Sequence, residues 1–143
     1  MSWISKEIVL LAKNRGFSVV TDQILSQVPE INSYKVGILH LFIKHTSASL
    51  AINENADSTV LEDMESHFNV IVPERMEYYK HIFEGPDDMP AHIKASLLNS
   101  HISVPIKNGH LSLGQWQGIY LCEFRNNGPK RKIAATIYGQ IVR

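Results

Sequence analysis

Ile4, Ile8 and Leu10 alternate loosely with polar neighbours over residues 4–13, the two-residue rhythm of a strand. Asn14-Arg15-Gly16 is a turn signal, and residues 17–21 read as a returning strand, so a hairpin is expected first. Asp22 is placed to cap a short helix over residues 23–28, which Pro29 ends. Residues 34–44 carry so few polar positions that they predict a central strand buried on both faces. Then the rhythm changes. Over residues 57–70, Val60, Leu61, Met64 and Phe68 recur at helical spacing while Glu62, Asp63, Glu65 and His67 turn outward, and Pro73 follows. A second helix is predicted from Asp88-Met89-Pro90, where aspartate suits the cap and proline the first turn, through Ala91, Ile93, Ala95 and Leu97 to Asn99. Strand patterns return at 101–106, 120–125 and 132–142, separated by Asn108-Gly109, a glycine-bearing loop over 113–118, and Asn126-Asn127-Gly128-Pro129. Strands come first and last, with the helices between them. That order predicts an α+β fold, mostly antiparallel β-sheet or sandwich with two or three helices inserted mid-chain.

Composition narrows this only a little. The 143 residues show no internal repeat or linker-like stretch, so one domain over residues 1–143 is expected. Fourteen Lys and Arg balance fourteen Asp and Glu, which argues against general nucleic-acid binding, because that rests on surplus cations. A single cysteine, Cys122, precludes an internal disulfide and suits a reducing compartment. Charge at the N-terminus, where a signal peptide would need an apolar run, and the lack of a long apolar run predict a soluble cytoplasmic protein without membrane partners.

Seven histidines are many for this length, and three sit where chemistry is plausible. His45 ends the apolar strand and opens His45-Thr46-Ser47-Ala48-Ser49-Leu50, whose hydroxyls at Thr46, Ser47 and Ser49 can hold an anion or satisfy the local backbone. His81 and His92 flank Gly85-Pro86-Asp87-Asp88, and His92 falls in the first turn of the second helix, where the dipole discourages protonation. Neutral imidazole ligates zinc, and three histidines with a water make a normal catalytic zinc shell, although this spacing matches no short zinc motif. One of Asp87 and Asp88 is enough to cap the helix, which leaves the other to orient a histidine or to bind a divalent ion through water. Glu123 and Arg125 share a strand face and can pair with each other, or Arg125 can join Arg131 and Lys132 around a phosphate. Cys122, with Tyr120 and Phe124, belongs to the opposite face and reads as inert core. Gly114-Gln115-Trp116-Gln117-Gly118 lets backbone approach a ligand or subunit, with Trp116 either an anchor or a stacking platform.

Residues 45–50, the run Glu84-Gly85-Pro86-Asp87-Asp88-Met89-Pro90-Ala91-His92-Ile93-Lys94, and Gly114-Gln115-Trp116-Gln117-Gly118-Ile119-Tyr120-Leu121 together resemble the YjbQ-like family across essentially the whole chain. Members are often named secondary thiamine-phosphate synthase enzymes. The resemblance implies a homotrimer with pockets near subunit contacts and a histidine-lined site for metal or anion, onto which His45, His81 and His92 map. It also implies weak thiamine phosphate synthesis, in which a thiazole nitrogen displaces pyrophosphate from an aminopyrimidine methyl diphosphate. On that reading His45, His81 and His92 hold a divalent metal, zinc or else magnesium, and Asp88 orients them. Thr46, Ser47, Ser49, Trp116, Gln117, Glu123 and Arg125 then contact a small phosphorylated or pyrophosphorylated substrate, with Trp116 or Tyr120 as a stacking wall. Gln115 departs from the threonine usual in the family. The other readings are a non-catalytic trimeric module that binds metal or an anion, and a zinc-dependent hydrolase.

Overall fold

From Gly118 to Phe124 every residue is buried, although neighbouring side chains on a strand point to opposite faces. Such a strand needs cover on both sides. The computed structural model, which describes residues 1–142, supplies it with three layers. Strand β7 (Gln117–Asn127) is the centre of a three-stranded antiparallel sheet, between β2 (Asn14–Val19) and β4 (Ala48–Glu54). One face packs on a five-stranded antiparallel sheet ordered β1 (Ser2–Leu10), β8 (Arg131–Ile141), β3 (Tyr34–Ile43), β5 (His101–Lys107) and β6 (His110–Leu111). Ile119 and Leu121 meet Leu39, Leu41, Ile133 and Ile137 there in the main core. On its other face Tyr120, Cys122 and Phe124 form a second core with Phe17, Phe68 and Ala91, closed by helices α2 (Ser58–Ile71) and α3 (Asp88–Leu97). The remaining helix, α1 (Thr21–Leu25), and a 3-10 turn (Pro29–Ser33) sit at one end of the main core through Ile24 and Ile31.

The fold is therefore α+β with antiparallel sheets, as the pattern predicts, and Cys122 is core, its thiol pushed far up by burial. Helix α2 follows its periodicity, and Asp57 caps it by accepting from the Thr59 amide at 2.9 Å. Four local expectations are corrected. Residues 1–21 form no hairpin, because β1 pairs with β8 and β2 with β7, so the turn passes the chain from one sheet to the other. Helix α1 starts at Thr21, without a side-chain cap from Asp22. Strand β3 has only one buried face: Leu39, Leu41 and Ile43 point inward, while Val36, Ile38 and Phe42 are exposed at 53%, 47% and 44%. Strand β4, buried against β7 and α3, is not predicted at all. No helix among the described residues is long and apolar enough to cross a membrane.

Candidate functional site

Strand β7 ends beside the start of α3, and Arg125 joins the two. Its Nε donates to Asp87 Oδ2 at 2.9 Å, its Nη1 to Asp88 Oδ1 at 2.6 Å, and its Nη2 to the Glu84 carbonyl at 2.9 Å. The planar guanidinium suits this double task, since its donors leave in fixed directions. Asp87 also accepts from the Asn126 amide at 2.9 Å. Neither aspartate makes a side-chain cap for α3; both are spent on tertiary contacts instead. Gly85 turns the preceding loop with φ +99, a conformation L side chains rarely adopt, and a Cβ there would press on Asp87.

Arg125 occupies one oxygen of Asp88 and leaves the other to two histidines. Asp88 Oδ2 lies 2.7 Å from His81 Nε2 and 3.1 Å from His92 Nε2. Asp88 and His92 are four residues apart on α3, hence on one helix face. His81 comes from the loop before it. The side chain of Asp88 is 2% exposed, and those of His92 and His81 are 31% and 47% exposed. The three ligand-type atoms lie within 4.8 Å of one another. Burial alone would raise the Asp88 pKa, but the hydrogen bond from His81, with His92 and Arg125 nearby, holds its carboxyl below the usual range.

The tautomer of His92 is fixed by its other nitrogen. Nδ1 stands 3.0 Å from the Thr46 carbonyl, which can only accept, so Nδ1 carries a proton. In a neutral ring Nε2 is then a lone pair facing carboxylate oxygen. That contact is favourable only with positive charge between the two atoms, carried by a proton or by a metal ion. An imidazole anchored by a backbone carbonyl, with its free nitrogen beside a buried carboxylate, is the usual preparation of a metal ligand.

His45 stands outside this triad. Its Nε2 accepts from the Lys132 backbone amide at 2.7 Å, and the Lys44 amide donates to the Lys132 carbonyl at 3.0 Å. An amide N–H can only donate, so in neutral His45 the proton is on Nδ1 and neither nitrogen is a free ligand. Burial first, then Arg131, holds the imidazole below the ordinary histidine value. The structure thus brings together His81, Asp88 and His92 rather than the three histidines, with one Asp88 oxygen facing both rings. His45 and His92 do share a surface cleft of about 490 Å³, lined also by Thr46, Ala48, Ala95, Ser96, Leu98 and Ser100.

Most other predicted contact residues have structural partners. Glu123 is 1% exposed and receives Arg131 in a two-point ion pair, Nε to Oε1 at 2.8 Å and Nη2 to Oε2, which ties the two sheets together. Arg131 also donates to Ser47 Oγ at 3.0 Å, and Ser49 Oγ donates to the Ala95 carbonyl at 3.0 Å. Glu123, Ser47 and Ser49 are buried framework rather than a substrate surface. Gln117 opens β7 directly after the loop residue Trp116, whereas Arg125 is eight residues beyond Gln117. At about 3.4 Å per residue this places them roughly 27 Å apart in one chain. Gln117 Oε1 accepts from the Gly114 amide, so the exposed loop carrying Gln115 and Trp116 folds on itself. Tyr120 is fully buried, donating to the Glu54 carbonyl, and cannot be a stacking wall.

A hollow that the sequence reading missed is lined in part by His81. It encloses about 260 Å³ between Arg75, Met76, Tyr79, Ile82, Gly85, Pro86 and Met89. The only signal for it was Gly85-Pro86, which marks a turn without showing what the turn encloses.

The profile of the family described as UPF0047 protein YjbQ-like matches residues 6–140. This chain belongs to that family. The UPF0047 protein YjbQ of Escherichia coli O157:H7 is 47% identical over 138 residues, covering 96% of this chain and 99% of that one. A UPF0047 protein of Synechocystis sp. is 42% identical over 117 residues, 82% of this chain and 80% of that one. A crystal structure of a YjbQ/UPF0047 family protein from Clostridium acetobutylicum has a TM-score of 0.80 at 37% identity, covering 93% of this chain and 99% of that one. The conserved hypothetical protein TT1486 of Thermus thermophilus gives 0.78 at 26% identity, covering 96% and 99%. The function of the YjbQ-like family is unknown, so the chemistry of this member has to be argued from its own residues.

Proposed function

We propose that this chain is a metal-assisted enzyme acting on a small phosphorylated or pyrophosphorylated molecule, with thiamine phosphate formation as the activity that family resemblance suggests. One observation carries the reading: His81 Nε2, Asp88 Oδ2 and His92 Nε2 converge at a point where positive charge is needed. Two imidazoles and a carboxylate suit zinc in a site with an open position. Magnesium, which prefers oxygen ligands, fits this donor set poorly. When bound, such an ion supplies a Lewis acid for charge gathering on a departing phosphate or pyrophosphate.

The chain's own residues do the rest. Arg125 fixes Asp88 by one oxygen so that the other stays aimed at the histidines. The Thr46 carbonyl fixes the ring of His92. Tyr79, Met76, Ile82 and Met89 offer a largely apolar hollow beside His81 for the organic part of a compact substrate. Trimer formation, which the resemblance also implies, is supported by the apolar outer face of the five-stranded sheet, where Trp3, Ile38 and Phe42 are exposed in a single chain.

The test pairs metal analysis of the purified protein with an assay of thiamine phosphate formation, for the native chain and for His92→Ala. Bound zinc, turnover, and loss of both in the variant support the proposal. Stoichiometric zinc without pyrophosphate release favours the non-catalytic binding module, and absence of any metal affinity overturns the mechanism.

A further inference from the structure

The cleft between His45 and His92 has an unspent donor. The Lys132 amide takes the lone pair of His45 Nε2 at 2.7 Å, which leaves the hydrogen on Nδ1, and Nδ1 has no partner among the described residues. The ring is one wall of the cleft, and its burial and positive neighbours keep it neutral, so this donor persists at neutral pH. Thr46 and Ser100 add hydroxyls, whereas Ser96 has already given its hydrogen to the His92 carbonyl at 3.0 Å. Among the described residues no carboxylate lines the cleft, and Arg131, Lys132 and Lys44 are the cations that act on His45. Glu123 and Arg131 neutralise each other in their ion pair, and the Lys44 ammonium meets Glu7 at 3.2 Å, which leaves Lys132 as the net positive charge bearing on the ring. A donor of fixed tautomer, adaptable hydroxyls, one lysine charge and no lining carboxylate suit an oxyanion.

We propose that this cleft is an oxyanion subsite in which His45 Nδ1–H binds a phosphate oxygen of a ligand that also reaches the His81–Asp88–His92 centre. His45 is thus a ligand-binding residue, not a metal ligand. Chain connectivity couples the two places, since the residue after His45 supplies the carbonyl that orients His92. The inference deepens the proposed function and rests on it for the second contact of the ligand.

The experiment follows the imidazole resonances of 15N-labelled protein by long-range 1H–15N NMR while inorganic phosphate is added, with and without zinc. His45→Gln keeps an acceptor near the Nε2 position and removes the donor at Nδ1, while His45→Asn places an amide donor near Nδ1. His45 of the native chain is expected as the Nδ1–H tautomer, with phosphate shifting that resonance. Phosphate affinity should fall roughly tenfold or more in His45→Gln, the worth of a charge-assisted hydrogen bond, and recover in part in His45→Asn. Zinc affinity should change less than about twofold in either variant, because a residue outside the coordination shell makes no bond to the ion. A tenfold loss of zinc affinity, an Nε2–H tautomer, or equal phosphate binding by His45→Gln and the native chain would overturn the inference. If zinc does not bind at all but phosphate still shifts His45, the metal reading fails and the subsite stands.

Discussion

Arg125 grips Asp88 by the one carboxylate oxygen that the histidines leave free, at 2.6 Å, while its Nε holds the adjacent Asp87. With three donors committed to the protein, its first role is to position a carboxylate, which argues against the phosphate contact expected from sequence. Arg125→Lys keeps the charge but not the fork. We expect it to lower stability by about 1–3 kcal/mol in urea unfolding, through loosened hydrogen bonds to a buried carboxylate. Zinc affinity should fall roughly tenfold or more by calorimetry, as for other groups that orient a metal ligand. Unchanged zinc affinity would detach Arg125 from the centre.

The ion pair Glu123–Arg131 crosses from β7 to β8 at the end of the main core, with both side chains almost fully buried. Removing one partner strands a buried charge. Arg131→Met or Glu123→Leu should each cost about 3–5 kcal/mol, while the two combined should cost well below the sum. Equilibrium unfolding of the single and double variants reads this directly. Additive losses would mean that the two residues do not depend on each other.

His45 gives a pH signature. Its folded pKa lies below the ordinary histidine value through burial and then Arg131, so the unfolded chain binds this proton at higher pH than the folded one. The stability it contributes is complete above the unfolded value of about 6.5 and is lost as pH falls through the folded value. An NMR titration should place its midpoint below that of a free histidine, and His45→Gln should flatten the acid side of the stability profile. A midpoint above about 6.5 would contradict the assignment.

The outer face of the five-stranded sheet sets Trp3 against Tyr138, with ring centroids 4.0 Å apart, and pairs Ile38 with Tyr138 across the strands. Together with exposed Val36 and Phe42 this is much apolar surface for one sheet face. Sedimentation equilibrium should give three chains, and Ile38→Asp combined with Phe42→Asp should reduce the mass to one. A monomeric native chain would remove the basis for an intersubunit face.

Helices α2 and α3 were legible because a core-facing helix writes its period directly, and α2 adds a working cap at Asp57. Strand β4 was not, since Ser49, Asn53 and Glu54 interrupt its apolar pattern and its pairing with β7 depends on residues some seventy positions away. The doubly covered strand was misplaced for a related reason. Residues 34–44 and 117–127 are both rich in apolar side chains, and only the packing of α2 and α3 on β7 decides which is enclosed. At the site, Asp88 was legible as the aspartate left over from capping, His92 from its place in the first turn of α3, and His81 through its nearness to the Gly85-Pro86 turn. The different place of His45 turns on one amide of Lys132, 87 residues along the chain, which no local pattern announces.

The most direct test of the central claim is anomalous diffraction, at the zinc edge, from crystals of the native chain grown with zinc. The account predicts one strong peak per chain, about 2.0–2.2 Å from His81 Nε2, His92 Nε2 and an oxygen of Asp88, with His45 outside the coordination sphere. A peak held by His45 in place of Asp88, or zinc only on surface histidines such as His40 and His101, would contradict it.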